Sequence, residues 1–269
     1  MLRPRITPCL LLKNKGLVKT VQFKNPKYVG DPVNAVKIFN EKEVDELIVL
    51  DIDATLLGAS PDYLMIENLA AECRMPFCYG GGVGTVRQAE EIIGLGVEKV
   101  AISAAAVETP DLVSKIAEQV GSQSVVVVMD VRRNPAKGSY ELWTHGGTRN
   151  TGKCPVEFSR QMEKLGAGEI VVNSIDNDGM MKGYDLEIST RIREAIGIPM
   201  TILGGAGSMA DIGGVIRKFG IIGAAAGSLF VFKGPYKAVL INYPNRAEKE
   251  RWAALPPENT ELGAWSEKT

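Results

Sequence analysis

One glycine turn occurs twice in this chain, and the distance between its copies leaves few folds open. The first copy is Gly80-Gly81-Gly82-Val83-Gly84 and the second is Gly204-Gly205-Ala206-Gly207-Ser208, nearly half of the 269 residues apart. Each follows a short apolar run that reads as a buried strand, Met75 to Tyr79 and Ile198 to Leu203. Each precedes a segment that reads as a helix, opening at Thr85 or Ser208. Glycines at a strand end let the backbone approach an anion, and the amides that open the next helix then face it. A second echo follows at similar distance, since Val100-Ala101-Ile102-Ser103-Ala104-Ala105-Ala106 resembles Gly223-Ala224-Ala225-Ala226-Gly227-Ser228-Leu229. A repeat of half the chain predicts a barrel built from two similar halves.

Short β-branched runs supply the strands: Arg5–Leu12, Glu46–Asp51, Met75–Tyr79, Lys99–Ile102, Ser124–Asp130, Glu169–Asn173, Ile198–Leu203 and Ile221–Ala225. Between them lie amphipathic segments, Asp31–Lys42, Pro61–Arg74, Thr85–Leu95, Pro110–Val120, Pro155–Leu165, Leu186–Ile196 and Ser208–Phe219. Asp31-Pro32 and Thr109-Pro110 place a capping side chain before a first-turn proline, and Gly96, Gly121, Gly166 and Gly220 stop helices. Strict alternation with strands too apolar for a one-sided sheet predicts parallel strands covered by helices. The expected fold is therefore α/β, a (β/α)8 TIM barrel of two similar half-barrels over residues 1–243. Two stretches break the rhythm. Gly16–Tyr28 is long enough for a mobile active-site loop, and Arg132–Gly152 reads as a small hairpin, inserted near 132–152. Both belong on the C-terminal face, where such barrels keep their chemistry. Residues 244–269 read as a polar tail that frays or packs loosely.

Composition narrows the function. Charged residues are 23% and the net charge is −1, so nothing favours nucleic acid or an anionic membrane as partner. No apolar run reaches a membrane span, and Met-Leu-Arg-Pro-Arg lacks a signal-peptide core, so a cytoplasmic protein is expected. Cys9, Cys73, Cys78 and Cys154 show no C-x-x-C spacing and His145 is the one histidine, so no metal site and no cofactor are expected. The same scarcity leaves little material for a Cys-His glutaminase triad. His145 reads as a support for the hairpin.

From Arg3 to Phe232 the chain resembles HisF, the cyclase subunit family of imidazole glycerol phosphate synthase. The resemblance rests on Ile6-Thr7-Pro8-Cys9-Leu10, Asp45-Glu46-Leu47, Tyr79-Gly80-Gly81-Gly82, Gly121-Ser122-Gln123, Thr144-His145-Gly146-Gly147, Asp178-Gly179 with Gly183-Tyr184-Asp185, and Gly204-Gly205-Ala206-Gly207. It implies a (β/α)8 barrel that binds a substrate with a phosphate at each half and receives ammonia from a HisH-like glutaminase docked at the opposite face. Gly81, Gly82 and Ala104 would hold one phosphate, and Gly179, Gly205, Gly207 and Ser228 the other; the bland alternative is that the glycines only permit tight turns. The family works with two aspartates, at the ends of strands one and five. Asp130 matches the second, and Leu11 stands where the first is expected. A leucine carries no proton, and one such group is worth roughly 10²–10⁴ in rate. Asp53 is a candidate substitute. Gly84 and Ser103 also depart from the family's arginine and asparagine, whereas Lys19 matches its loop lysine.

Arg5, Glu46, Lys99 and Glu169 match the family's ring of alternating charges, through which ammonia passes; the alternative is a plug at the barrel bottom. Asp45 and Glu98 beside them would contact the partner or face solvent. Three readings stand. The first is a HisF-like subunit that supplies ammonia for amidation of a surface-polysaccharide sugar, with a third protein making the transfer. The altered strand-one end, Gly227–Gly234 and Asn242-Tyr243-Pro244 resemble paralogues of that kind. The second is a true cyclase of histidine synthesis, and the third a non-catalytic subunit that activates its glutaminase.

Overall fold

The structure is a computed structural model that describes residues 3–253. Eight parallel strands close into a barrel, as the repeat predicts. They are β1 (Arg5–Lys13), β2 (Leu47–Asp51), β3 (Phe77–Gly80), β4 (Lys99–Ile102), β5 (Val125–Asn134), β6 (Glu169–Ser174), β7 (Met200–Leu203) and β8 (Gly223–Ala226). Each pairs with its neighbours in chain order, and β8 pairs with β1 to close the ring, Ile6 lying opposite Ala224. Closure removes both sheet edges.

Helices α1 (Pro32–Glu41), α2 (Tyr63–Glu72), α3 (Val86–Gly94), α4 (Leu112–Val120), α5 (Pro155–Lys164), α6 (Leu186–Arg193) and α7 (Met209–Phe219) cover the outside. Their starts follow local chemistry. Asp31 accepts from the Asn34 amide ahead of Pro32, while Thr85 with Gln88 and Ser208 with Asp211 form reciprocal capping boxes. At α4 the helix opens only at Leu112, after Asp111, and Thr109 does not cap it. Outward side chains such as Leu10, Phe77, Tyr79, Ile102 and Val127 pack under the helices with Phe39, Ile66, Ile92 and Ile116 as the main core. A smaller core fills the bore, from Cys9, Ile48, Cys78, Ala101, Val126, Val128, Val171, Leu203 and Ala225.

Two expectations need correction. Gly16–Tyr28 is a β-ribbon, with Gly16–Val21 pairing antiparallel to both β1 and Lys24–Gly30. Leu17, Val18 and Thr20 are buried in it, so burial orders a segment expected as an open loop. The first strand of the other half matches it: β5 runs on to Asn134 and pairs antiparallel with Ser139–Thr144. Lastly, a loosely packed tail was expected from Pro244, but Arg246–Ala253 forms α8. Lys249 pairs with Asp45 at 2.7 Å, and a Cβ on Gly213 would lie 3.2 Å from the Trp252 ring. The rest of the expected tail, 254–269, lies outside the described residues. No helix among the described residues is long and apolar enough to cross a membrane.

Candidate functional site

The C-terminal strand ends and their loops enclose a cavity of about 580 Å³. It brings together Leu11, Lys19, Gly81, Gly82, Ala104, Asp130, Gly179, Gly205 and Ser228 from the sequence reading, while Gly207 stands just outside the lining.

Its polar floor is built from β5, β6 and the ribbon. Asp130 and Asn173 are register partners on adjacent strands, so their side chains leave the sheet together, and Asn173 Nδ2 donates to Asp130 Oδ1 at 2.9 Å. Burial pushes the Asp130 carboxyl up to about 7, over the opposing hydrogen bond from Asn173 and with help from Asp178. A carboxyl poised there can both take and give a proton at neutral pH. Lys19 comes from the ribbon, 5% exposed, and its ammonium donates to the Cys9 carbonyl at 2.6 Å. Burial lowers its pKa against the fields of Cys9 and Asp178. Across the bore, β1 and β2 present Leu11 and Leu50. Asp130 therefore has no carboxylate facing it from β1.

Asp178 is a second carboxylate in the cavity. The Thr20 hydroxyl donates to its Oδ2 at 2.7 Å and the Phe23 amide to the same atom at 3.1 Å, while the Gln22 amide donates to its carbonyl. Asp178 thus latches the ribbon that carries Lys19. Burial raises its pKa despite those donors. The Asp178-Gly179 motif singled it out, but only for resemblance. Asn173 went unnoticed, although it follows Val171 as Asp130 follows Val128. Asp53 also lines the cavity, where it is paired with Lys13 at 2.6 Å.

The glycine turns are close approaches. Gly81 has φ +124° and a Cβ there would sit 2.5 Å from the Asp51 carbonyl; Gly205 has φ +111° and a Cβ would meet the Gly183 carbonyl at 2.1 Å. The N-caps beyond them are closed within their own turns. Gly84 and Thr85 amides donate to Gln88, and Gly207 and Ser208 amides to the Asp211 carboxylate. Ala104 and Ser228 instead open two short helices, Ala104–Glu108 and Ser228–Val231, at the cavity wall. His145, at φ +54°, meets Thr144 Oγ1 with its Nδ1 at 3.1 Å in the hairpin turn.

The ring closes the other end of the bore. Arg5 bonds Glu169 at 2.6 Å and lies 3.3 Å from Glu46; Lys99 bonds Glu169 at 2.8 Å and also Glu46. Thr201 donates to Glu169 at 2.6 Å. The charges alternate and cancel. Asp45 and Glu98 cap the strands instead of standing free: Asp45 accepts from the Ile6 amide and Lys249, Glu98 from the Phe77 amide. Between ring and cavity stand the small and apolar bore residues, with Thr7 Oγ1 buried and unpartnered.

A model of the histidine biosynthesis protein family matches residues 5–236. Two relatives are named "Putative imidazole glycerol phosphate synthase subunit". One, hisF3 of Vibrio vulnificus (strain YJ016), is 55% identical over 93% of this chain and 96% of its own. The other, hisF2 of Pseudomonas aeruginosa, is 51% identical over 91% and 97%. A Lactococcus lactis subsp. cremoris protein named "Imidazole glycerol phosphate synthase subunit HisF" is 40% identical over 86% and 89%. The match begins on β1 and passes beyond β8, so it takes in the whole barrel with its ring and cavity: the chain belongs to the histidine biosynthesis protein family, as a HisF member.

Proposed function

We propose that this HisF-family chain is the synthase subunit of a glutamine amidotransferase complex. It takes ammonia from a HisH-like glutaminase at the ring end and supplies it to a phosphate-bearing small molecule at the cavity. The bore supports this, because a neutral ring leads past Thr7 and small side chains to Asp130. Gly81, Gly82 and Ala104 take one phosphate; Gly179, Gly205 and Ser228 take the other. Gly207 closes its turn, since Asp211 already holds its amide.

The acceptor we assign is an acetamido sugar of a surface polysaccharide, amidated with a third protein, not the histidine-pathway substrate. One observation carries this: Leu11 faces the bore where a second acid would serve ring closure. The relatives above 50% identity also include numbered copies, hisF2 and hisF3, whereas those named plainly as imidazole glycerol phosphate synthase subunits stand at 36–40%. The cyclase reading is supported by the relatives' names, which are all those of imidazole glycerol phosphate synthase subunits, and by the second carboxylate Asp178.

The deciding assay gives the protein the histidine-pathway substrate and ammonium salt without glutaminase. Imidazole glycerol phosphate should form at least about 10²-fold more slowly than with a histidine-pathway HisF measured alongside. A comparable rate overturns the amidation reading in favour of the cyclase. Separately, a HisH-like glutaminase should co-purify with the chain and turn over glutamine faster when bound; no complex, or unchanged turnover, sinks the subunit assignment.

A further inference from the structure

Strands β5 and β6 carry matching inward rows. Val128 is followed by Asp130, and Val171 by Asn173, each two residues further along its strand and on the same face. Asp130 and Asn173 are thus the first inward side chains above the apolar bore on that wall. On the opposite wall the same height is apolar, with Leu11 and Leu50. Above Thr7, a small molecule rising through the bore meets polar partners on the β5 and β6 wall and leucines on the opposite one.

Those partners are acceptors. Asn173 is 6% exposed; its Nδ2 is spent on Asp130 Oδ1, and its Oδ1 is buried with no hydrogen-bond partner. While Asp130 is ionised, the donation to it holds the direction of the amide, because a flip would set oxygen against carboxylate oxygen. An unpaired buried acceptor is costly, so the site is matched to a ligand rich in N–H. The other charged groups near Asp130 are already engaged at particular atoms. The Lys19 ammonium donates to the Cys9 carbonyl, the Cys9 thiol is held protonated by burial, and Asp178 Oδ2 is occupied by Thr20 and Phe23.

We propose that Asn173 Oδ1 and the free oxygen of Asp130 form a docking site for ammonium, and for the ammonia in equilibrium with it, at the top of the bore. The site rests on the amidotransferase reading above. Ammonium is compact, offers only donors, and carries the charge that an ionised Asp130 lacks a partner for. Water presents acceptors as well as donors, and a tetraalkylammonium ion has no donor.

The test follows the carboxyl carbon of Asp130 by NMR in aspartate-labelled full-length protein, assigned with Asp130→Asn. It is titrated with pH in ammonium chloride and in tetramethylammonium chloride of equal ionic strength. With ammonium the midpoint should fall steadily, by about one unit at ten times the dissociation constant. Tetramethylammonium should leave it in place, and Asn173→Leu should remove the ammonium response. Equal midpoints in the two salts overturn the proposal, as does a full response in Asn173→Leu. The two-salt comparison on the unaltered protein decides the matter even if that variant does not fold. No glutaminase takes part, so a glutaminase that fails to dock leaves a positive result standing. A working complex with equal midpoints sinks the docking site alone.

Discussion

Glu169→Gln puts the ring to a quantitative test. Glu169 receives Arg5 at 2.6 Å, Lys99 at 2.8 Å and Thr201 at 2.6 Å. A neutral amide in its place leaves two cations facing Glu46 alone and turns an NH2 group toward one of them. Removing one partner of a buried ion pair costs about 3–5 kcal/mol. The Arg5 and Lys99 side chains keep 29% and 17% exposure, and water there reduces the expected loss to about 2–3 kcal/mol. Adding Lys99→Met should recover part of it, since Arg5 and Glu46 then remain as a matched pair, giving a coupling of at least about 1 kcal/mol. Urea unfolding of the single and double variants at neutral pH measures both numbers. The pH dependence has a definite sign. Burial works against ionised Glu169, but Arg5 and Lys99 outweigh it and hold its pKa below the ordinary value. Its contribution is complete above the unfolded-state pKa and fades as pH falls through the lower folded one, so the gap between wild type and variant should narrow in acid. A single-variant loss under about 1 kcal/mol, or strictly additive losses, would refute the ring as a coupled unit.

Other perturbations separate function from packing. Asp130 is raised to about 7, so its stabilising share is full below the unfolded pKa and lost as pH rises through the folded one. Asp130→Asn, which keeps an acceptor for Asn173, should add about 2–4 kcal/mol of stability at pH 8 and nothing at pH 4; an equal effect at both pH values contradicts this. Gly205→Ala must strain φ +111° and push the Gly183 carbonyl, and should lose at least about 2 kcal/mol, whereas Gly84→Ala meets only Gln88 at 3.9 Å and should stay within about 0.5 kcal/mol. Thermal melts in which both variants behave alike would be evidence against the close-approach account. Asp178→Asn should release the ribbon and speed amide hydrogen exchange across 17–30 with little change elsewhere; unchanged exchange there removes its latch role.

Strand periodicity made the barrel legible, because parallel strands buried on both faces read as apolar runs whatever their exact ends. Positive-φ glycines likewise marked the helix stops at Gly96, Gly121, Gly166 and Gly220. The ribbon on β1 was hidden by its turns. Asn14-Lys15 and Gln22-Phe23 both adopt positive φ as two-residue connections, and Gln22-Phe23 carries no glycine, asparagine or aspartate to announce it. Asp130 was found through the resemblance, as the family's strand-five aspartate. Asn173 was not, because a neutral amide gains its meaning from a register partner on another strand. Asp45 and Glu98 looked like free surface charges for a similar reason: the backbone amides they cap are distant in sequence or belong to a neighbouring strand.

The barrel's seam also governs timing. The Tyr243 hydroxyl donates to the Ile6 carbonyl and accepts from the Asp45 amide, and Lys249 reaches Asp45 and the Glu43 carbonyl. These bonds tie the chain's opening strand to segments made some two hundred residues later, and loop-closure entropy must be met before any of them forms. The cylinder can therefore be sealed only after synthesis has reached β8, and the bonds from Tyr243 and Lys249 follow. Until then β1 has no β8 beside it, and its ladder groups are open to other chains. A nascent or truncated chain ending before Gly223 is accordingly the form most exposed to aggregation, and the finished molecule should unfold slowly once the seam is shut.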